Sequence, residues 1–275
     1  MSHSVAAIHT VAEGYTAPGP IDFLFTDFTG KTWDQSGYLP WFTKPAALLV
    51  LAMLLTFFFL RMTSRKEAVV PGKAQYLGEQ AYEYIRNGVA RDIIGEHDFM
   101  RYVPLLVSLF FFLILNNLFG IVPLLQLAPF SRVSYAYGLV ALVWIIYNVV
   151  GIVDKGFLGY LKHQTVPPGV PWPLLFLLIP LEFLSNILVR PLTLSLRLFA
   201  NMFAGHLLIV LFSTGGAFLL LHATGPAYVD KPAGVLSFVL GVAVGFLEVI
   251  VAVLQAYVFT LLTALYISGS LASEH

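Results

Sequence analysis

Arg197 stands inside a run of apolar residues where a cation has no ordinary place. The run is PLTLSLRLFANMFAGHLLIVLFSTGGAFLLL, residues 191–221, and its only ionisable side chains are Arg197 and His206. An arginine at mid-bilayer costs roughly 2.5–3.5 kcal/mol on insertion scales. It cannot shed its proton, because the pKa of a guanidinium lies above ~12. A charge fixed there needs a carboxylate, a water-filled pocket, or both. No carboxylate lies within reach along its own helix, so the counter-charge is expected from another segment or another chain.

A second buried charge is Glu248, alone in GFLEVIVAVLQAYVFTLLTALY. At roughly 100° per residue, Gln255 lies about 20° around the helix from Glu248, and Tyr266 returns to the same line. Gly241 extends that line the other way. One face thus carries a carboxylate, an amide and a phenol, and polar groups in such a row face protein or water, not lipid. On the preceding segment, Asn201 follows Arg197 by one turn and shares its face. Thr193 and Ser195 add hydroxyls near it. His206 lies about 180° around from Arg197 and is predicted to face the last helix and Glu248. A histidine and a carboxylate meeting inside a membrane make a proton relay, since their ordinary pKa values of ~6.5 and ~4.3 bracket a range that burial and pairing tune. Glu182 lies nearer the start of the same long segment. The plainer reading of these groups is polar glue between helices. Asn116 and Asn117 are read as structural, and Gly241-x-x-x-Gly245 as a site of close helix packing.

The elements that must hold these groups are spanning helices. The chain has 275 residues, 58% hydrophobic and 11% charged, with a formal net charge of zero and no cysteine. Soluble domains carry about 25% charged residues, so this is an integral membrane protein, all-α and polytopic. Zero net charge argues against a nucleic-acid partner. No G-x-x-x-x-G-K-[ST] string is present, so no nucleotide site is expected. Neither a cofactor nor a metal site is expected.

A span needs about 20 mostly apolar residues. Five are predicted, at 41–60, 102–126, 133–153, 174–222 and 233–268, with an amphipathic interfacial helix over 75–94 built on Leu77, Ala81, Tyr84, Ile85 and Val89. A soluble helix packed on a partner subunit is the competing reading of 75–94. The stretch 174–222 offers no polar loop, and at 1.5 Å per residue it measures roughly 70 Å against a ~30 Å hydrocarbon core. Two crossings would need a turn that is not there, so one long tilted helix, kinked near Pro180 and Pro191 and packed against the long C-terminal helix, is preferred. Loops are expected at the Pro-rich 166–173 and at 223–232. Residues 61–101 hold seven Lys or Arg and residues 1–44 hold two. The positive-inside rule then places residues 1–40 outside as an extracytoplasmic segment and the C-terminus in the cytoplasm. Residues 41–275 form one membrane domain. The first 44 residues lack the pattern of a signal or transit peptide, and a bacterial inner membrane fits best.

RPLTLSLRLFANMFAGH, residues 190–206, resembles the signature of subunit a of F-type ATP synthases, the stator half of a proton channel. EVIVAVLQAYVFTLLTALYIS from Glu248 onward and NNLFGIVP at 116–123 resemble the same family. The resemblance covers most of the chain from about residue 40. It implies that Arg197 is the family's essential arginine, facing a rotating ring of c subunits that each carry a mid-membrane carboxylate. It places the family's neighbouring amide on Gln255 and its half-channel asparagine on Asn201. In some bacterial members the acid follows the -AG- of the first motif and a histidine sits in the last helix. Here they are exchanged, as His206 and Glu248. A carboxylate before the arginine also belongs to the pattern, and Glu182 is the match, with imperfect spacing. The implied pathway residues are Glu248, His206, Asn201, Gln255, Glu182, Ser195 and Tyr266. The implied partners are the c-ring, b-type peripheral-stalk subunits and, indirectly, the catalytic head, with membrane lipid around them. The chain itself is expected to be a non-catalytic subunit. Two rival readings remain: a secondary transporter in which Arg197 grips a small organic anion, and a non-conducting assembly scaffold. The absence of an internal repeat counts against the transporter.

Overall fold

A computed structural model of the chain describes residues 15, 17–19, 44–63, 73–122, 128–166, 172–222 and 227–272. The remainder, including most of the expected N-terminal segment and most of the Pro-rich stretch, lies outside the described residues. All regular structure among the described residues is helical. Five helices are long and apolar enough to cross a membrane, at Pro45–Thr63, Phe99–Phe119, Val133–Lys155, Leu174–Leu221 and Tyr228–Leu271.

In chain order, α1 (Lys44–Thr63) is followed by α2 (Lys73–Ile85), which continues through a π-helical stretch, Arg86–Arg91, to a last turn at Asp92–Ile94. Gly95 ends this element at φ 98°, a conformation that costs glycine little. Ile85, Val89 and Ala90 are fully buried in the central apolar cluster, while Glu79 and Glu83 are exposed. Ile85 and Val89 of the expected apolar side are thus spent on the chain's own core, whereas Tyr84 of the same set is exposed. The π stretch carries two of those three buried residues.

α3 (Phe99–Phe119) ends seven residues short of the expected span. Gly120 and Ile121 donate to the carbonyls of Asn117 and Leu118, three residues back, at 3.3 and 3.0 Å. This tightening closes the helix. Ala128 then packs on Gly120, where an added Cβ would stand 2.9 Å from the alanine methyl. The chain has thus turned back on itself by residue 128. α4 (Val133–Lys155) and the short α5 (Phe157–Thr165) are separated by Gly156 at φ 74°. The Tyr160 ring lies against the bare Cα of Gly151, which folds α5 onto α4.

α6 (Trp172–Leu184), a π-helical stretch Ser185–Val189 and α7 (Arg190–Leu221) form one uninterrupted helical rod. Leu184 and Arg190 both keep right-handed helical dihedrals at its joints. Pro180 lies inside α6, and Pro191 sits at the start of α7. The single long helix is thus observed, with the irregularity between the two prolines. α8 (Ala227–Leu271) begins earlier than expected, shortening the loop read at 223–232. Pro232 lies only five residues from the helix start and removes just the bond to Tyr228 there. α7 and α8 pack antiparallel: Ser237 donates to the Phe212 carbonyl at 2.8 Å, and Gly216 and Gly234 face each other. Gly241 lies close to Phe212, whereas a Cβ on Gly245 would meet nothing within 4 Å. Only the first glycine of the G-x-x-x-G pair serves packing.

Candidate functional site

The inward stripe of α7 is Leu194, Ser195, Leu198, Met202 and Gly205, all buried. These positions repeat every three or four residues, as a helix buried along one side demands. The opposite stripe, Thr193, Leu196, Arg197, Ala200, Ala204 and Leu208, is exposed. Arg197 therefore stands on an open, otherwise weakly polar face lined with small residues. Its side chain makes no hydrogen bond or ion pair among the described residues; the one ion pair there joins Arg91 to Glu96, at the surface.

Between the two stripes, Asn201 reaches across to α8 and donates from Nδ2 to Gln255 Oε1 at 2.7 Å. Gln255 is only 3% exposed, so its end of the amide pair is buried, and its Nε2 has no partner among the described residues. A few residues further along α7, the Glu248 carboxylate rests directly against Gly205, in the space a Cβ there would fill. His206 is the next residue, and its ring reaches the backbone of Gly120 in the turn after α3. The expected pairing of His206 with Glu248 is not what the structure places here: Gly205 receives the acid, and the adjacent His206 aims its imidazole at the NNLFG turn. Asn117 joins them, donating from Nδ2 to the Ala252 carbonyl at 3.1 Å, one turn past Glu248, while its buried Oδ1 has no partner among the described residues. The sequence reading left Asn117 and Gly205 out of the site. The signal that pointed to them was a polar pair and a glycine inside strongly apolar segments.

The remaining expected residues fall elsewhere. Ser195 is fully buried on the inward stripe and gives its hydroxyl to the Leu192 carbonyl at 2.8 Å. It is about 200° around the helix from Arg197, so the structure does not bring it beside the guanidinium. Thr193 shares the open stripe but bonds the Val189 carbonyl at 2.9 Å. Glu182 accepts from Asn186 Nδ2 at 3.3 Å, and the same Nδ2 donates to the Gln164 carbonyl at 2.7 Å. Gln164 in turn donates to the Tyr160 hydroxyl at 2.9 Å, which donates to Asn148 Oδ1 at 3.0 Å. Burial raises the Tyr160 phenol above its ordinary value, keeping it a neutral donor. Tyr266 belongs to this second cluster: its ring centroid lies 5.5 Å from that of Tyr147.

The two clusters therefore lie at different levels along the α7–α8 pair, and Arg197 falls between them on the open face. The chain matches the family model described as ATP synthase A chain over residues 46–268. The protein described as "ATP synthase subunit a" from a Nocardioides species is 50% identical over the full length of both chains. Proteins of the same description from Pseudarthrobacter chlorophenolicus and Streptomyces lividans are 46% and 41% identical, over 86% and 95% of this chain and 89% and 90% of theirs.

The chain belongs to the ATP synthase A chain family.

As a member of the A chain family it is a multi-pass membrane subunit of the ATP synthase and not itself an enzyme. No group of three or more His, Cys, Asp or Glu side chains suited to a metal exists among the described residues.

Proposed function

We propose that this subunit forms two aqueous half-channels that load and unload the carboxylates of a c-ring, with Arg197 between them. The observation that carries the reading is Arg197 itself: a permanent cation on an exposed stripe of an apolar helix, without an acidic partner among the described residues. A static ion pair would have consumed that charge. An open one is suited to acids that come and go.

One half-channel is lined by Glu248, His206, Asn117, Asn201 and Gln255, and the other opens past Glu182 and Asn186. A proton passing the first group neutralises a ring carboxylate, which then moves into lipid. On return the carboxylate meets Arg197, whose charge favours the ionised form and so favours proton release on the Glu182 side. Arg197 also repels protons that would cross directly. Each charge falling through 100 mV carries ~2.3 kcal/mol, so several are needed per ATP, which suits a geared rotor. The exchange of histidine and glutamate leaves both groups at one level, because the carboxylate of one helix rests beside the histidine-bearing turn of the other. The exposed stripe around Arg197 is an open helix face, without the enclosing polar groups that an organic-anion transporter needs.

Arg197→Ala in the assembled complex is expected to abolish ATP-driven proton pumping and ATP synthesis. Arg197→Lys keeps the charge but loses the planar fork and is expected to lose coupled synthesis as well. Full pumping by Arg197→Ala would reject the reading, and uptake of a small anion by the purified subunit would favour the transporter.

A further inference from the structure

The rod carries a second guanidinium that the half-channel reading does not use. Arg190 opens α7, seven residues before Arg197, and so lies only about 20° away around the helix. Its side chain makes no hydrogen bond or ion pair among the described residues. It is seated instead on an aromatic ring, with Cζ 5.5 Å from the centroid of Tyr266. Tyr147, buried and itself 5.5 Å from the Tyr266 ring, and Tyr160 on α5 are the other titratable groups within its electrostatic reach. The acid nearest along the chain, Glu182, is engaged by Asn186. Near this end Lys155 and His163 are bonded to the carbonyls of Ala272 and Gly269, and Asp98, Arg101 and Asp154 line a polar cavity beside Leu271. The Tyr266 hydroxyl has no hydrogen-bond partner among the described residues, whereas its ring has the cation.

We propose that Arg190, seated on the Tyr266 ring, is a second fixed cation for passing ring carboxylates, and that Tyr266 acts through its aromatic face and not its hydroxyl. The inference rests on the reading that Arg197 meets those carboxylates. A cation–π seat holds a guanidinium in place without neutralising it, as a salt bridge would. The rod is 48 residues long, roughly 70 Å, and a ~30 Å hydrocarbon layer accommodates it only at a steep inclination. Seven residues, roughly 10 Å along such an axis, displace Arg190 more sideways than in depth. During ATP synthesis a carboxylate returning from lipid on the Glu182 side meets Arg190 before it reaches Arg197. The second cation keeps it ionised while its proton departs.

The test uses the whole complex in inverted membrane vesicles and follows ATP synthesis against the pH on the Glu182 side. Without the second cation the ring carboxylate holds its proton more tightly, so release demands a lower proton activity. Arg190→Gln is expected to move the midpoint of acid inhibition upward by about one pH unit. Tyr266→Leu is expected to move it the same way, while Tyr266→Phe leaves the midpoint with the parent's. A midpoint unmoved by Arg190→Gln, or moved equally by Tyr266→Phe and Tyr266→Leu, overturns the proposal. If Arg190→Gln fails to assemble, the Tyr266 pair decides: only a shift confined to Tyr266→Leu supports it. Arg197→Ala in the same vesicles separates the two ideas. Pumping that survives it rejects the rotor reading itself, and pumping lost there with no shift in Arg190→Gln rejects only the role of Arg190.

Discussion

Gly205 decides where the Glu248 carboxylate sits, and it does so by having no side chain. Any Cβ at 205 would occupy the acid's place. The obstructing atoms are the end of a flexible side chain, so Gly205→Ala displaces the carboxylate at little cost to the fold. The subunit is expected in the membrane at the parental level, with passive proton conduction through stripped membranes reduced about tenfold to a hundredfold, the loss that a misplacement of roughly 1 Å causes at a proton-transfer site. Unchanged conduction would show that the acid needs no fixed seat. At this scale the sequence was partly legible. Helical angles placed Gln255 close to the line of Glu248 but put Asn201 on the face of Arg197, so the Asn201–Gln255 bond was not foreseen. Angles say nothing about level along the partner helix, so the meeting of Glu248 with residue 205 rather than 206 was invisible. Ser195 misled because nearness in sequence was taken for nearness in space, although two residues on a helix point almost opposite ways.

Among the elements, hydropathy alone found all five spans, and the missing polar loop correctly implied one unbroken rod from α6 through α7. What it could not supply is the π-helical stretch at Ser185–Val189, because an i→i+5 turn has no composition of its own. That stretch bears on the imperfect spacing of Glu182. A π turn absorbs one residue more than an α turn, so it rotates Glu182 and Asn186 relative to Arg190 and Arg197. It also presents Asn186, buried, to the Gln164 carbonyl. Deleting Ile187 would restore α-helical spacing and turn Glu182 by about 100° relative to Arg197. We predict normal insertion with ATP-driven pumping lowered about tenfold or more, measured on inverted vesicles against the quantity of subunit present. Parental pumping would mean that the π stretch sets no register. The early end of α3 was hidden for a related reason: GIVP continues the apolar run, and only the backbone bonds of Gly120 and Ile121 reveal that the helix has closed.

At the scale of the molecule, one end gathers the basic residues and the other holds the described part of the N-terminal segment. Arg101, Asp98, Asp154 and Leu271 line one 270 Å³ polar cavity, and Lys155 bonds the carbonyl of Ala272. At the far end of α7, the Tyr15 hydroxyl lies 3.1 Å from Thr214 Oγ1 and its ring 5.2 Å from that of Phe218. Basic residues favour the cytoplasmic face, so residue 15 is expected outside and residue 272 inside. The chain has no cysteine, so single thiols report their side of the membrane without interference. Ala17 and Lys162 are both exposed. A membrane-impermeant maleimide is expected to label Ala17→Cys in intact cells and Lys162→Cys only in inverted vesicles. An odd number of crossings forces this opposition between the N-terminal segment and the α8 terminus. The 48-residue rod contributes one crossing to that count, so labelling of Ala17→Cys and of a thiol at exposed Ala272 from the same side would mean that the rod doubles back inside the membrane. The inclined path that carries Arg190 and Arg197 past the ring would then be lost.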